Sequence, residues 1–94
     1  MDFKKIKVLK DDARGIMYDC DKLNFIERRK GTISADHKHI DPEILYLLKG
    51  EIKIIIGEDE QKIKSSVKIR IPANQYHKII ALTDIIILED RQLE

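Results

Sequence analysis

The stretch Glu51-Ile52-Lys53-Ile54-Ile55-Ile56-Gly57-Glu58-Asp59-Glu60-Gln61-Lys62-Ile63-Lys64 decides the fold class. Successive side chains of a strand point to opposite faces, so Ile52, Ile54 and Ile56 share one side while Glu51, Lys53 and Ile55 take the other. Gly57 and the acids after it supply the reversal, because glycine reaches the positive φ that tight turns need. The alternating charges of this hairpin read as a solvated ion-pair surface. Just beyond it, Val67, Ile69 and Ile71 alternate with Lys68 and Arg70, a second strand with one buried and one wet side. The same reading extended outward predicts strands over 4–9, 15–18, 23–29, 44–48, 51–56, 61–64, 67–71, 77–82 and 84–89. Asp11-Asp12, Lys49-Gly50 and Thr83-Asp84 mark further reversals. Helical spacing is nearly absent, and short β-branched runs that recur every eight to twelve residues or so are the mark of an all-β sandwich or barrel.

The 94 residues suit one domain over 1–94. Eighteen Lys and Arg against 17 Asp and Glu leave a net charge of +1, which argues against nucleic acid and anionic membrane as partners. Charged residues are 37% of the chain, against about 25% in an average domain. Eighteen Ile, one Cys, two Met, two Asn and three Gln lean the same way as that charge, toward a thermophilic source. The single Cys20 has no internal disulfide partner, and its neighbours Asp19 and Asp21 disfavour a reactive thiolate. Met1-Asp2-Phe3-Lys4-Lys5 opens no signal peptide, and no apolar run approaches the roughly 18 residues of a membrane span. A cytoplasmic protein is expected.

Chemistry concentrates in Asp36-His37-Lys38-His39-Ile40-Asp41-Pro42-Glu43, which holds two of the three histidines. In an extended segment His37 and His39 present their imidazoles to one side and suit a shared cation. Alternation then places Glu43 in line with Leu45 and Leu47, where a carboxylate is expensive unless paired or metal-bound. The third histidine, His77, follows the turn Pro72-Ala73-Asn74-Gln75-Tyr76 and begins an apolar strand. Spacing alone leaves two readings open, a cation site or a solvated loop with a strand-end histidine.

A family resemblance separates them. Gly31, five residues, His37, one residue, His39, three residues, Glu43, six residues and Gly50 resembles the first motif of the cupin superfamily at every fixed position. Residues 66–81 resemble the second motif in Pro72 and His77. Ser66 and Asn74 stand there in place of glycines, and Ala81 in place of an asparagine. Asn tolerates left-handed φ best after Gly, so Asn74 is expected to hold the turn that presents His77. The fifteen residues of the spacer, 51–65, are similar to those of compact microbial members.

The resemblance implies a small antiparallel jelly-roll barrel, the double-stranded β-helix, with His37, His39, Glu43 and His77 binding a divalent transition metal inside it. That donor set suits Fe, Mn, Ni, Co, Cu or Zn. The implied function is a metal-dependent enzyme on a small organic, plausibly anionic, substrate, by a dioxygenase-like or a Lewis-acid lyase or isomerase reaction. The alternative is a non-catalytic module that binds or senses a small ligand. Expected inward residues (Leu45, Leu47, Ile52, Ile54, Ile56, Val67, Ile69, Ile71, Ile79 and Ala81) offer no second acid or base. Arg28 or Arg29 is the candidate cation for substrate, and Tyr76 sits beside His77 at the expected pocket mouth. Ile44, Tyr46, Leu48 and Ile55 are expected on an outer face that a second copy would cover, making a homodimer.

Overall fold

The structure, a computed structural model, describes residues 1–38 and 40–90. His39 and residues 91–94 lie outside the described residues. Ten strands follow one another: β1 (Lys7–Asp12), β2 (Gly15–Cys20), β3 (Leu23–Arg28), β4 (Ile33–His37), β5 (Glu43–Lys49), β6 (Glu51–Ile56), β7 (Asp59–Lys64), β8 (Val67–Ile71), β9 (His77–Ala81) and β10 (Ile85–Asp90). They form two antiparallel sheets, one ordered β1-β2-β3-β10-β5-β8 and the other β4-β9-β6-β7. Beyond β3 the chain crosses between sheets at most connections, which rolls it into the expected jelly roll. Among the described residues, no helix is long and apolar enough to cross a membrane.

The inner faces meet in an aliphatic core. Leu45, Leu47, Ile69, Ile71, Ile85 and Ile87 of the larger sheet pack against Ile52, Ile54, Ile79 and Ala81 of the smaller. Each fully buried aliphatic side chain contributes about 1.5–3 kcal/mol. The predicted hairpin is present, with Ile52 opposite Ile63 and Ile56 opposite Asp59 across Gly57. Gly50 turns β5 into β6 at φ +93°, where a Cβ would run into the Asp84 carbonyl.

Some expectations need correction. The first reversal falls at Ala13-Arg14 rather than Asp11-Asp12, because β1 runs on to Asp12 and pairs it with Gly15. Val67, the first residue of β8, is exposed, and Ile56 is only partly buried. Ile44 is already 2% exposed within the chain, and Ile55 belongs to the four-stranded sheet, so neither joins Tyr46 and Leu48 on a free outer face.

Strand β4 was not among the expected strands, and it is irregular. Ser34 pairs with Ile79 and His37 with His77, so three steps along β4 match two along β9. The additional residue makes a β-bulge, with Ala35 at φ +52°.

Candidate metal centre

His37 and His77 face each other across the β4–β9 ladder, their ring centroids 4.6 Å apart and their planes 86° from parallel. Glu43 enters from the first position of β5 on the other sheet. Its Oε2 lies 3.2 Å from Nε2 of His77, which is 1% exposed. One ligand atom from each of His37, Glu43 and His77 falls within 4.8 Å of the others.

The backbone prepares this cluster. Asn74 has φ +60°, the left-handed conformation expected of it, and closes the turn before β9. Nδ1 of His77 lies 3.3 Å from the Gln75 carbonyl. That contact assigns the ring proton to Nδ1 and leaves the Nε2 lone pair toward Glu43, as a metal-ligating histidine requires.

Two residues of the site escaped the sequence reading. Glu89, on β10, hydrogen-bonds Glu43 and also accepts from Nδ2 of Asn24 at 2.8 Å. Asn24 is its register partner on β3. The signal was the alternation Ile85, Ile87, Glu89, which turns Glu89 inward. Burial, then the Glu89 hydrogen bond and charge, push the Glu43 carboxyl up to about 8. Two carboxyl groups in one buried place share a proton rather than both ionise. A cation among two imidazoles and this pair would supply the missing positive charge, so the donor chemistry fits a divalent metal.

The cluster opens onto a cavity of about 520 Å³ between the sheets. Its floor is apolar, from Met17, Ile26, Leu45, Ile79 and Ile87, and Arg28 forms part of its wall. Of the two arginines it is Arg28 that faces inward, at 5% exposed. Arg29 is exposed and donates from Nη1 to the Ala13 carbonyl at 2.9 Å. Tyr76 does not line the cavity and is 40% exposed, a correction to its expected place at the mouth. Its hydroxyl binds Asp36, and it is Asp36 that borders the cavity. Cys20 is exposed at the end of β2 and takes no part in the cluster.

Comparison with known proteins agrees with this architecture. No curated protein gives a significant match to the sequence. Among solved structures, CapF with the inhibitor 3-isopropenyl-tropolone superposes with a TM-score of 0.77 at 17% identity, over 92% of this chain and 30% of CapF. A salicylate 1,2-dioxygenase from Pseudoaminobacter salicylatoxidans gives 0.67 at 14% identity, over 78% of this chain and 20% of that one. A conserved protein of unknown function from Streptococcus pyogenes gives 0.69 at 15% identity, over 96% of this chain and 75% of its own. The chain thus spans less than a third of CapF and about a fifth of the dioxygenase, and at these identities the likeness is one of fold. The sequence profile of the cupin domain family matches residues 24–88, and the chain belongs to that family.

Proposed function

We propose that residues 1–94 act as one metal-dependent cupin domain, an enzyme for a small organic molecule that enters the cavity between the sheets. The observation that carries this reading is the convergence of His37, Glu43 and His77 beside an open cavity with an apolar floor. His37, Glu43 and His77 would hold the ion, with His39 as the fourth ligand that the motif implies. When bound, a divalent transition metal supplies Lewis-acid polarisation of a substrate oxygen or, for iron and copper, oxygen chemistry.

The chain's own residues do the rest. Gln75 fixes the His77 tautomer, Glu89 and Asn24 orient Glu43, and the aliphatic floor excludes water from the substrate's apolar part. Three imidazoles and one carboxylate form a donor set that suits iron among the transition metals, in keeping with the oxygen-using branch. The salicylate dioxygenase neighbour adds support at the level of fold. A homodimer formed through the outer face of the six-stranded sheet, around Tyr46 and Leu48, completes the reading.

The test is metal content by mass spectrometry of untagged protein, wild type against His37→Ala/His77→Ala. The expected result is about one equivalent per chain, lost in the variant. Failure of the wild type to take up Fe, Mn, Ni, Cu, Co or Zn overturns the reading. Perturbation of the metal's spectrum by azide separates a reactive site from a closed, purely structural one.

A further inference from the structure

Buried cations in proteins are normally paired, because an uncompensated charge in a low-dielectric interior is strongly unfavourable. Arg28 departs from that rule. Its Nη1 donates to the Glu27 carbonyl at 3.0 Å, and that is its one hydrogen bond among the described residues. Nε is sealed from solvent without a partner, and no described carboxylate forms an ion pair with the guanidinium. Neighbouring Arg14, by contrast, is taken up by Asp12 at 2.8 Å. Burial lowers the pKa of Arg28, and the charge of Arg14 adds to this, with Asp12 and Glu89 opposing.

Register places the side chain on the inner face, between Gly15 on β2 and Ile85 on β10. Gly15 has no side chain to shield it, and none fits, since a Cβ there would strike the Glu27 carbonyl. Four steps along β10, about 13 Å of strand, separate the row of Arg28 from that of Glu89. Side chains reaching in from both rows shorten this gap to the length of a small molecule. The intervening wall is Ile26, Leu45 and Ile87.

Resting on the metal-site reading above, the geometry points to Arg28 as the anchor for a substrate carboxylate. The ligand class is a compact monocarboxylic acid with an apolar body, its acid group on Arg28 and its other end facing His37 and Glu43. A carboxylate fits better than a phosphate, because Arg28 is the one buried cation of the lining, Arg14 is already neutralised by Asp12, and Lys10 is exposed.

Isothermal titration of metal-free protein with benzoate, and with its neutral isostere benzamide, tests this. Benzoate is expected to bind the wild type at least tenfold more tightly than benzamide. Arg28→Met is expected to lose that preference while melting no lower than wild type, since it removes an unpaired buried charge. Arg28→Lys, which keeps the charge without the planar fork, should retain part of it. Three results overturn the proposal: no benzoate preference in wild type, a preference unchanged in Arg28→Met, or a preference lost in His37→Ala/His77→Ala but kept in Arg28→Met. Benzoate binding through Arg28 in a protein that takes up no metal would overturn the metal reading alone.

Discussion

The two ends of the cavity handle buried charge in opposite ways. At one end His37, Glu43, His77, Glu89 and Asn24 form a connected set, and a raised carboxyl pKa lets protons stand in for a cation. At the other, Arg28 has among the described residues one hydrogen bond, to a carbonyl, and no carboxylate in contact, with Asp12 and Glu89 acting only at longer range. The connected end can balance itself in the absence of any ligand. The arginine end has no described contact partner of opposite charge, which is the place the proposed carboxylate would take.

The sharpest way to break this contrast is to remove the imidazoles. His37→Ala/His77→Ala should weaken metal affinity by more than about a hundredfold and leave benzoate binding at Arg28 intact, read by metal titration and calorimetry on one preparation. A loss of both would mean that the two ends are not separate.

Next in size is the pH dependence of the metal-free fold. Glu43 titrates near 4.5 when unfolded and near 8 when folded. Its burial is therefore fully tolerated below about 4.5, and stability falls as pH rises from there through about 8. Glu43→Gln should flatten that part of the curve in urea titrations, whereas Arg28→Met should leave it unchanged. Asn74→Val forces a β-branched residue into left-handed φ and should cost about 1–2 kcal/mol, read as a lower midpoint of urea unfolding. Asn24→Ala removes one hydrogen bond to Glu89 and should cost about 0.5–1.5 kcal/mol by the same measurement.

Most of the sandwich was legible because isoleucine alternation is a direct image of the pleat, and Ile52, Ile54, Ile69, Ile71 and Ile79 sit where it put them. Val67 broke the pattern at the first position of its strand, where it is exposed. The grouping of His37, Glu43 and His77 was legible only through the family resemblance, since spacing alone left a solvated loop open, whereas left-handed Asn74 was legible from its chemistry. Glu89 was not, because a lone acid near a chain end reads as solvated until its strand is seen between β3 and β5. Strand β4 was hidden for a different reason. Ile33-Ser34-Ala35-Asp36-His37 has no apolar period, and its extended form comes from pairing with β9 rather than from its own side chains.

That bulged strand carries a consequence for how the site tolerates insertion and deletion. Ser34 faces inward opposite Ile79, and in an unbroken pleat parity would turn Asp36 inward and His37 outward. The additional residue at Ala35 shifts the frame by one and turns His37, itself still exposed, toward His77. The frame, more than the identity of any one side chain in 34–36, therefore selects which side chain meets His77. Deleting Ala35 preserves the parity of His37 and straightens the ladder, whereas smoothing the bulge at constant length exchanges an imidazole for a carboxylate beside His77. A single backbone step thus acts as a selector between two donor chemistries.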